Sequence, residues 1–108
     1  MNVRMALGAF RASLGDPTPP AGLSGALTAL WCDARGDWDS AHRAAQADDS
    51  PAGAVVHAYL HRKEPDLANA RYWYGRAGRS PCEAPLEDEW AALATELLNL
   101  IATDGGNR

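Results

Sequence analysis

Asp66-Leu67-Ala68-Asn69-Ala70-Arg71-Tyr72-Trp73-Tyr74-Gly75-Arg76-Ala77-Gly78 is the stretch whose reading decides the fold of this chain. Pro65 opens a helix over 65–77, and Leu67, Ala70 and Tyr74 share its inner face. A weaker copy lies upstream, Gly36-Asp37-Trp38-Asp39-Ser40-Ala41. Laying Ala29 on Ala58 brings Asp37 onto Asp66, Trp38 onto Leu67, Ala41 onto Ala70 and Ala45 onto Tyr74. Each copy reads helix, tight break, Asp, helix, with Gly36 as the break in one and Pro65 in the other. Ala41 and Ala70 are small where two helices of a hairpin approach most closely.

Working outward, alanine is the commonest residue and β-branched residues are sparse, which favours helix over sheet. A short amphipathic helix is expected over 3–14, with Met5, Leu7 and Phe10 as its contacts. Gly15-Asp16-Pro17 and Pro19-Pro20 then form a stiff linker. Leu23, Leu27, Leu30 and Trp31 recur at helical spacing over 23–34, and Gly36 stops that helix. A second helix spans 37–47, with Trp38, Ala41 and Ala45 on one face. Ser50 and Pro51 supply the N-cap and first turn of a third over 51–64, striped by Val56, Tyr59 and Leu60. After a loop over 78–84, the last helix runs over 85–102, with Trp90, Leu93, Leu97, Leu100 and Ile101 as its stripe. Residues 105–108 are expected to fray. The fold class is therefore all-α, with five to six helices in a single domain over 1–108: an N-terminal helix and linker (1–20), two hairpins (23–77) and a C-terminal capping helix (85–102).

Those residues carry a resemblance. Gly36-Asp37-Trp38 followed by Ala41 is similar to the turn and second-helix start of a tetratricopeptide repeat. Asp66, Asn69, Ala70, Trp73, Tyr74, Arg76 and Ala77 resemble the second helix of the Sel-one-like branch of that superfamily. Two departures stand out. The Gly-rich insertion between the helices of a Sel-one-like unit is missing around Pro65, and the first copy shows Ala44-Ala45 in place of Trp-Tyr. The period is also shorter than the usual ~34 residues. The resemblance implies a right-handed stack of antiparallel hairpins used for protein–protein interaction, with the outer helices as caps.

Length and charge narrow the functional classes. A chain of 108 residues can build a core without staples. Ten Lys and Arg against fourteen Asp and Glu leave a net charge of −4, so no nucleic-acid partner is expected. Met5 to Phe10 is too short an apolar run for a signal peptide or a membrane span, so a cytoplasmic location is expected. Cys32 and Cys82 fit no zinc or redox spacing; Cys32 reads as a small buried hydrophobe, Cys82 lies in a loop, and their redox state is left open. No nucleophile motif or phosphate loop is present, and no cofactor is expected.

The sharpest polar constellation is His57, His61 and Glu64, which share one helical face beside the apolar stripe. Three readings are open: a solvated hydrogen-bonding face, a partner contact lining a groove, or a transition-metal set. Position 58 is Ala, so the zinc-peptidase HExxH pattern is absent. His42 is expected to be partly exposed and to reach Asp39 or Gln46, but it joins the metal candidates if the two helices bring it across. Trp31, Trp38, Tyr59, Trp73, Tyr74 and Trp90 are expected mostly in the core. Tyr72 should lie opposite its helix's inner face. With Arg62, Trp73 and Arg76 it extends the candidate contact surface for a protein or peptide partner, or for a second copy in a homodimer. Glu87, Asp88 and Glu89 read first as acids that complement a helix dipole. The main expectation is thus a non-enzymatic interaction module, and the alternative is a small metal- or ligand-binding helical protein, possibly an enzyme.

Overall fold

The structure, a computed structural model, describes residues 5–106, with side chains as far as Leu100. Among them are six helices, one 3-10 turn and no strand: α1 (Leu7–Ala12), the turn Ser13–Gly15, α2 (Gly25–Ala34), α3 (Trp38–Ala47), α4 (Pro51–Lys63), α5 (Leu67–Arg76) and α6 (Leu86–Gly106). Local chemistry sets most of the boundaries. Ser24, Asp37, Ser50 and Asp66 each accept a hydrogen bond from the backbone N–H three residues on, capping α2 to α5. Gly36 and Gly78 follow α2 and α5 at φ +83° and +75°, a region that costs glycine little.

Several boundaries differ from expectation. The first helix is shorter than 3–14, because the chain tightens into the 3-10 turn at Ser13; the expected start at Val3 lies outside the described residues. Pro65 does not open α5. Asp66 is the N-cap with non-helical φ and ψ, so the proline sits one residue before the cap. Helix α6 continues to Gly106 rather than ending at Ala102, since neither proline nor a left-handed glycine intervenes. Of the tail expected to fray, Asn107 and Arg108 lie outside the described residues.

Helix α4 sits at the centre, packed by α2, α3, α5 and α6, and every residue from Gly53 to His61 is buried. The most extensive pairings are α4 with α5 and α2 with α3. Ala41 and Ala70 are buried at 0% and 2% exposure, as the close-approach reading requires. The turn into α4 is tighter still. A Cβ on Gly53 would fall 2.0 Å from the carbonyl oxygen of Asp48. The Asp48 carboxylate accepts from the backbone N–H of Ala26 (2.9 Å) and from the N–H and hydroxyl of Ser50, tying the turn to the start of α2.

The large aromatics in the core satisfy their polar ends. Trp90 Nε1 donates to the carbonyl of Leu30 at 2.9 Å, Trp38 Nε1 to Leu60 at 3.0 Å, and Trp31 Nε1 to the Ser13 hydroxyl at 3.1 Å. Tyr59 donates to Asp33 (2.9 Å) and Tyr74 to Glu89 (2.6 Å), and both carboxylates are buried. Each carboxylate also holds a cation from α4, Lys63 on Asp33 and Arg62 on Glu89. Glu89 is therefore more than a dipole complement: it anchors α6 to α4 and α5. Leu67 and Leu100, expected in apolar stripes, are each 54% exposed. Leu67 is the first residue of α5, and Leu100 lies toward the far end of α6, which at 21 residues spans about 31 Å against about 20 Å for α4. Cys32 and Cys82 are both free and half-buried, so Cys32 is less enclosed than expected. Among the described residues no helix is long and apolar enough to cross a membrane.

Candidate metal centre

His57 and His61 lie one turn apart on α4, and α3 lays His42 beside them. His57 Nε2 and His42 Nε2 are 2.9 Å apart. The ring centroids are 4.6 Å apart for His42 and His57, 5.2 Å for His42 and His61, and 4.9 Å for His57 and His61. One nitrogen from each ring can be chosen so that all three lie within 4.8 Å of one another. Tetrahedral zinc at 2.0–2.1 Å from each nitrogen would set them ~3.3 Å apart, so small side-chain rotations close the set around an ion.

Two indoles wall the cluster. Trp38 stacks on His42 with centroids 4.9 Å apart, and Trp73 stacks on His57 at 4.0 Å. Residue exposure is 3% for His57 and 7% for His61. A carboxylate supports the third imidazole: Glu64, the C-cap of α4, has its Oε1 2.6 Å from His61 Nδ1. A carboxylate on the far nitrogen fixes the tautomer and orients the ring, as it does behind many metal-bound histidines. Asp66, the cap of α5, brings a second carboxylate oxygen to within 4.8 Å of both His61 and Glu64 ligand atoms.

Burial pushes the His57 pKa down to about 4, and the neighbouring His42 and His61 add to the shift. His42 is lowered as well, by burial and then by His61, against the opposing pull of Glu64 and Asp39. Both rings are neutral at pH 7, the protonation state in which imidazole lends a lone pair to a metal. His57 Nδ1 is buried and has no hydrogen-bond partner. Buried polar atoms are nearly always paired, so this nitrogen carries a desolvation cost on the side of the ring away from the His42 contact.

The structure reassigns several sequence-based roles. His42 reaches neither Asp39 nor Gln46; its Nε2 lies 2.9 Å from His57 Nε2, across the contact of α3 with α4. His57 and His61 lie beneath the surface rather than along an open groove, because α4 is enclosed on all sides. Glu64 stays at the edge, its side chain 40% exposed. Arg62 is committed within the chain, to Glu89 and to the carbonyl of Ala84. Tyr72 is 54% exposed, as its helical position predicts. Arg76 donates to the Tyr72 hydroxyl at 3.0 Å and lies over the Tyr72 and Trp73 rings.

Sequence reasoning missed the roles of Trp38 and Trp73 as walls and of Asp66 as a neighbouring donor. The one available signal was Trp38 four residues before His42 on α3, a spacing that puts the two rings on one face; Trp73 reaches His57 from another helix, which no local spacing shows. Comparison of the chain with family models, curated proteins and solved structures gives no match.

Proposed function

We propose that this chain is a small helical protein that binds a transition-metal ion through His42, His57 and His61, with Glu64 orienting His61 from behind. The observation that carries this reading is a cluster of three imidazoles from two helices, His57 and His61 buried and His42 half-buried, with a nitrogen of each ring within 4.8 Å of the others. Imidazole suits zinc, copper, nickel and iron. The test is titration of metal-stripped protein with zinc, nickel and copper, read by inductively coupled plasma analysis after gel filtration and by the fluorescence of Trp38 and Trp73. One ion per chain is expected, lost in His42→Ala while helical circular dichroism is retained. Protein that carries no ion after equilibration with any of the three metals overturns the proposal.

A second reading concerns the outer face of α5. Leu67 and Tyr72 are each 54% exposed, and Arg71 and Arg76 flank them. Exposed Tyr and Arg of this kind anchor interfaces, which keeps a protein or peptide partner, or a second copy of the chain, in view for this face. A pull-down that survives alanine at both Tyr72 and Arg76 would remove it.

The pairings of α2 with α3 and α4 with α5 also support a tandem repeat of tetratricopeptide-like hairpins. The offset that lays Ala29 on Ala58 carries Trp38–Ala47 onto Leu67–Arg76, end for end. It also carries the cap Asp37 onto Asp66. Asp37 N–H bonds to the Cys32 carbonyl at 3.0 Å, and Asp66 N–H to the matching His61 carbonyl at 2.8 Å.

A further inference from the structure

We infer that the outer stripe of α5 is a docking site for an acidic segment of a partner protein, laid close along the helix between Arg71 and Arg76. The inference rests on the second reading above, that this face is an interface, and adds the chemistry of what it holds.

The stripe is a full helical face. Ala68, Arg71, Tyr72, Gly75 and Arg76 stand at i, i+3, i+4, i+7 and i+8, and all are exposed. Arg71 and Arg76 are ~140° apart around the axis, and Ala68 and Gly75 fall between them. The face is thus a shallow floor with a guanidinium on each edge.

Charge selects the partner. The chain has a net charge of −4, yet from Leu67 to Cys82 it carries three arginines and no acidic residue. Among the described residues Arg79 pairs with Glu96, while Arg71 and Arg76 form no ion pair. Arg76 is held by the Tyr72 hydroxyl and lies over the Tyr72 and Trp73 rings, so its remaining N–H donors are already placed. Two guanidiniums without a carboxylate of their own fit carboxylates brought from outside. The same charges disfavour a two-fold dimer through this face, which would gather the guanidiniums of both copies at one contact.

Gly75 is an independent sign of close approach. It lies inside α5, its φ is not positive, and a Cβ there would meet nothing within 4 Å. Neither the backbone nor internal packing calls for glycine, and glycine weakens an exposed helix relative to alanine. The missing side chain lets the backbone of a bound segment come close to α5.

The test is fluorescence anisotropy with a fluorescein-labelled decamer of glutamate, with a decamer of lysine and a single-stranded oligonucleotide as comparison probes. The glutamate decamer should bind at about 50 mM salt and weaken about fivefold at about 300 mM. Arg71→Ala combined with Arg76→Ala should weaken it about tenfold. Gly75→Gln, which adds bulk without charge, should weaken it about tenfold as well, while raising the thermal midpoint of the free chain. Loss of binding with a raised midpoint separates a blocked contact from a damaged fold. No binding of the glutamate decamer, equal binding by either variant, or tighter binding of the lysine or nucleotide probe overturns the acidic partner. Self-association in sedimentation velocity that is lost on Tyr72→Ala with Arg76→Ala also overturns it, but leaves the face an interface. Neither probe binding nor self-association removes the interface reading too.

Discussion

Lowering the pH from 7.5 to 5 should destabilise the metal-free protein through one identifiable group. His57 has a pKa of about 4 when folded and an ordinary value of 6.5 when the chain is unfolded. Between those values the unfolded state binds the extra proton and the folded state does not, so stability falls as the pH drops. The loss begins near 6.5 and is complete below about 4. At one pH unit for about 1.4 kcal/mol, the full shift corresponds to about 3 kcal/mol, of which about 2 kcal/mol has gone by pH 5. His42, lowered in the same direction, adds to the effect; its neighbours Glu64 and Asp39 temper it. The carboxylates held low by their hydrogen bonds, Asp37 and Asp48, have ordinary values of 3.8 and contribute little above pH 5. Urea unfolding followed by circular dichroism at pH 7.5, 6 and 5 reads the effect directly. With an m-value of 1–3 kcal/mol/M for a protein of this size, the midpoint should fall by about 1 M. His57→Phe fills the same slot between Trp73 and His61 without a titrating nitrogen, and its midpoint should move much less over the same range. A wild-type midpoint that is flat from pH 7.5 to 5, or one that moves equally in His57→Phe, refutes the claim that burial of this ring sets its proton affinity.

Two further perturbations probe the frame that holds the centre. Gly53→Ala places a methyl against backbone, 2.0 Å from the Asp48 carbonyl oxygen, and should cost about 1–3 kcal/mol or more by forcing α3 and α4 apart, seen as a lowered thermal midpoint. Glu89→Ala leaves Arg62 without its carboxylate beside the buried Tyr74 hydroxyl, and should cost about 3–5 kcal/mol in urea unfolding; a cost below 1 kcal/mol would show that solvent replaces the lost partner.

How much of this was legible in the sequence follows from the range of the forces involved. Helix starts and stops are written in caps and glycines a few residues wide, so Ser50-Pro51 and Gly36 give their boundaries directly. Pro65 misled by two residues, because Asp66 caps the helix and Leu67 is its first residue. The alignment of His57 with His61 was also legible, since it needs only the helical repeat. The inward turn of His42 was not. It depends on which face of α3 meets α4, and that is settled by the turn Asp48–Ser50 and the glycine at 53, whose effect on register is tertiary. Burial of α4 on every side was hidden for a related reason. His57 and His61 made one face look polar, while in the fold Trp73 and Trp38 cover it as apolar residues would.

That concealment is also the strongest reason to regard the histidines as a site. A central helix surrounded by α2, α3, α5 and α6 needs apolar side chains at every buried position, and Ala54, Val55, Val56, Ala58, Tyr59 and Leu60 supply them. At 57 and 61 the same helix carries imidazoles, each of which brings two nitrogens that must be partnered or neutralised. His61 uses Glu64 for one nitrogen, and His57 uses His42. His57 Nδ1 has no partner, and such an atom typically costs about 1–3 kcal/mol in a buried setting. Leucine or phenylalanine at that position would avoid the cost. Core stability alone therefore disfavours the residues found here, and what the chain gains in return is three convergent lone pairs that a metal ion can use. The aromatic contact from His57 through Trp73 to the exposed Tyr72 then runs from the buried ring to the outer face of α5, so a change at the cluster has a packed path to that surface.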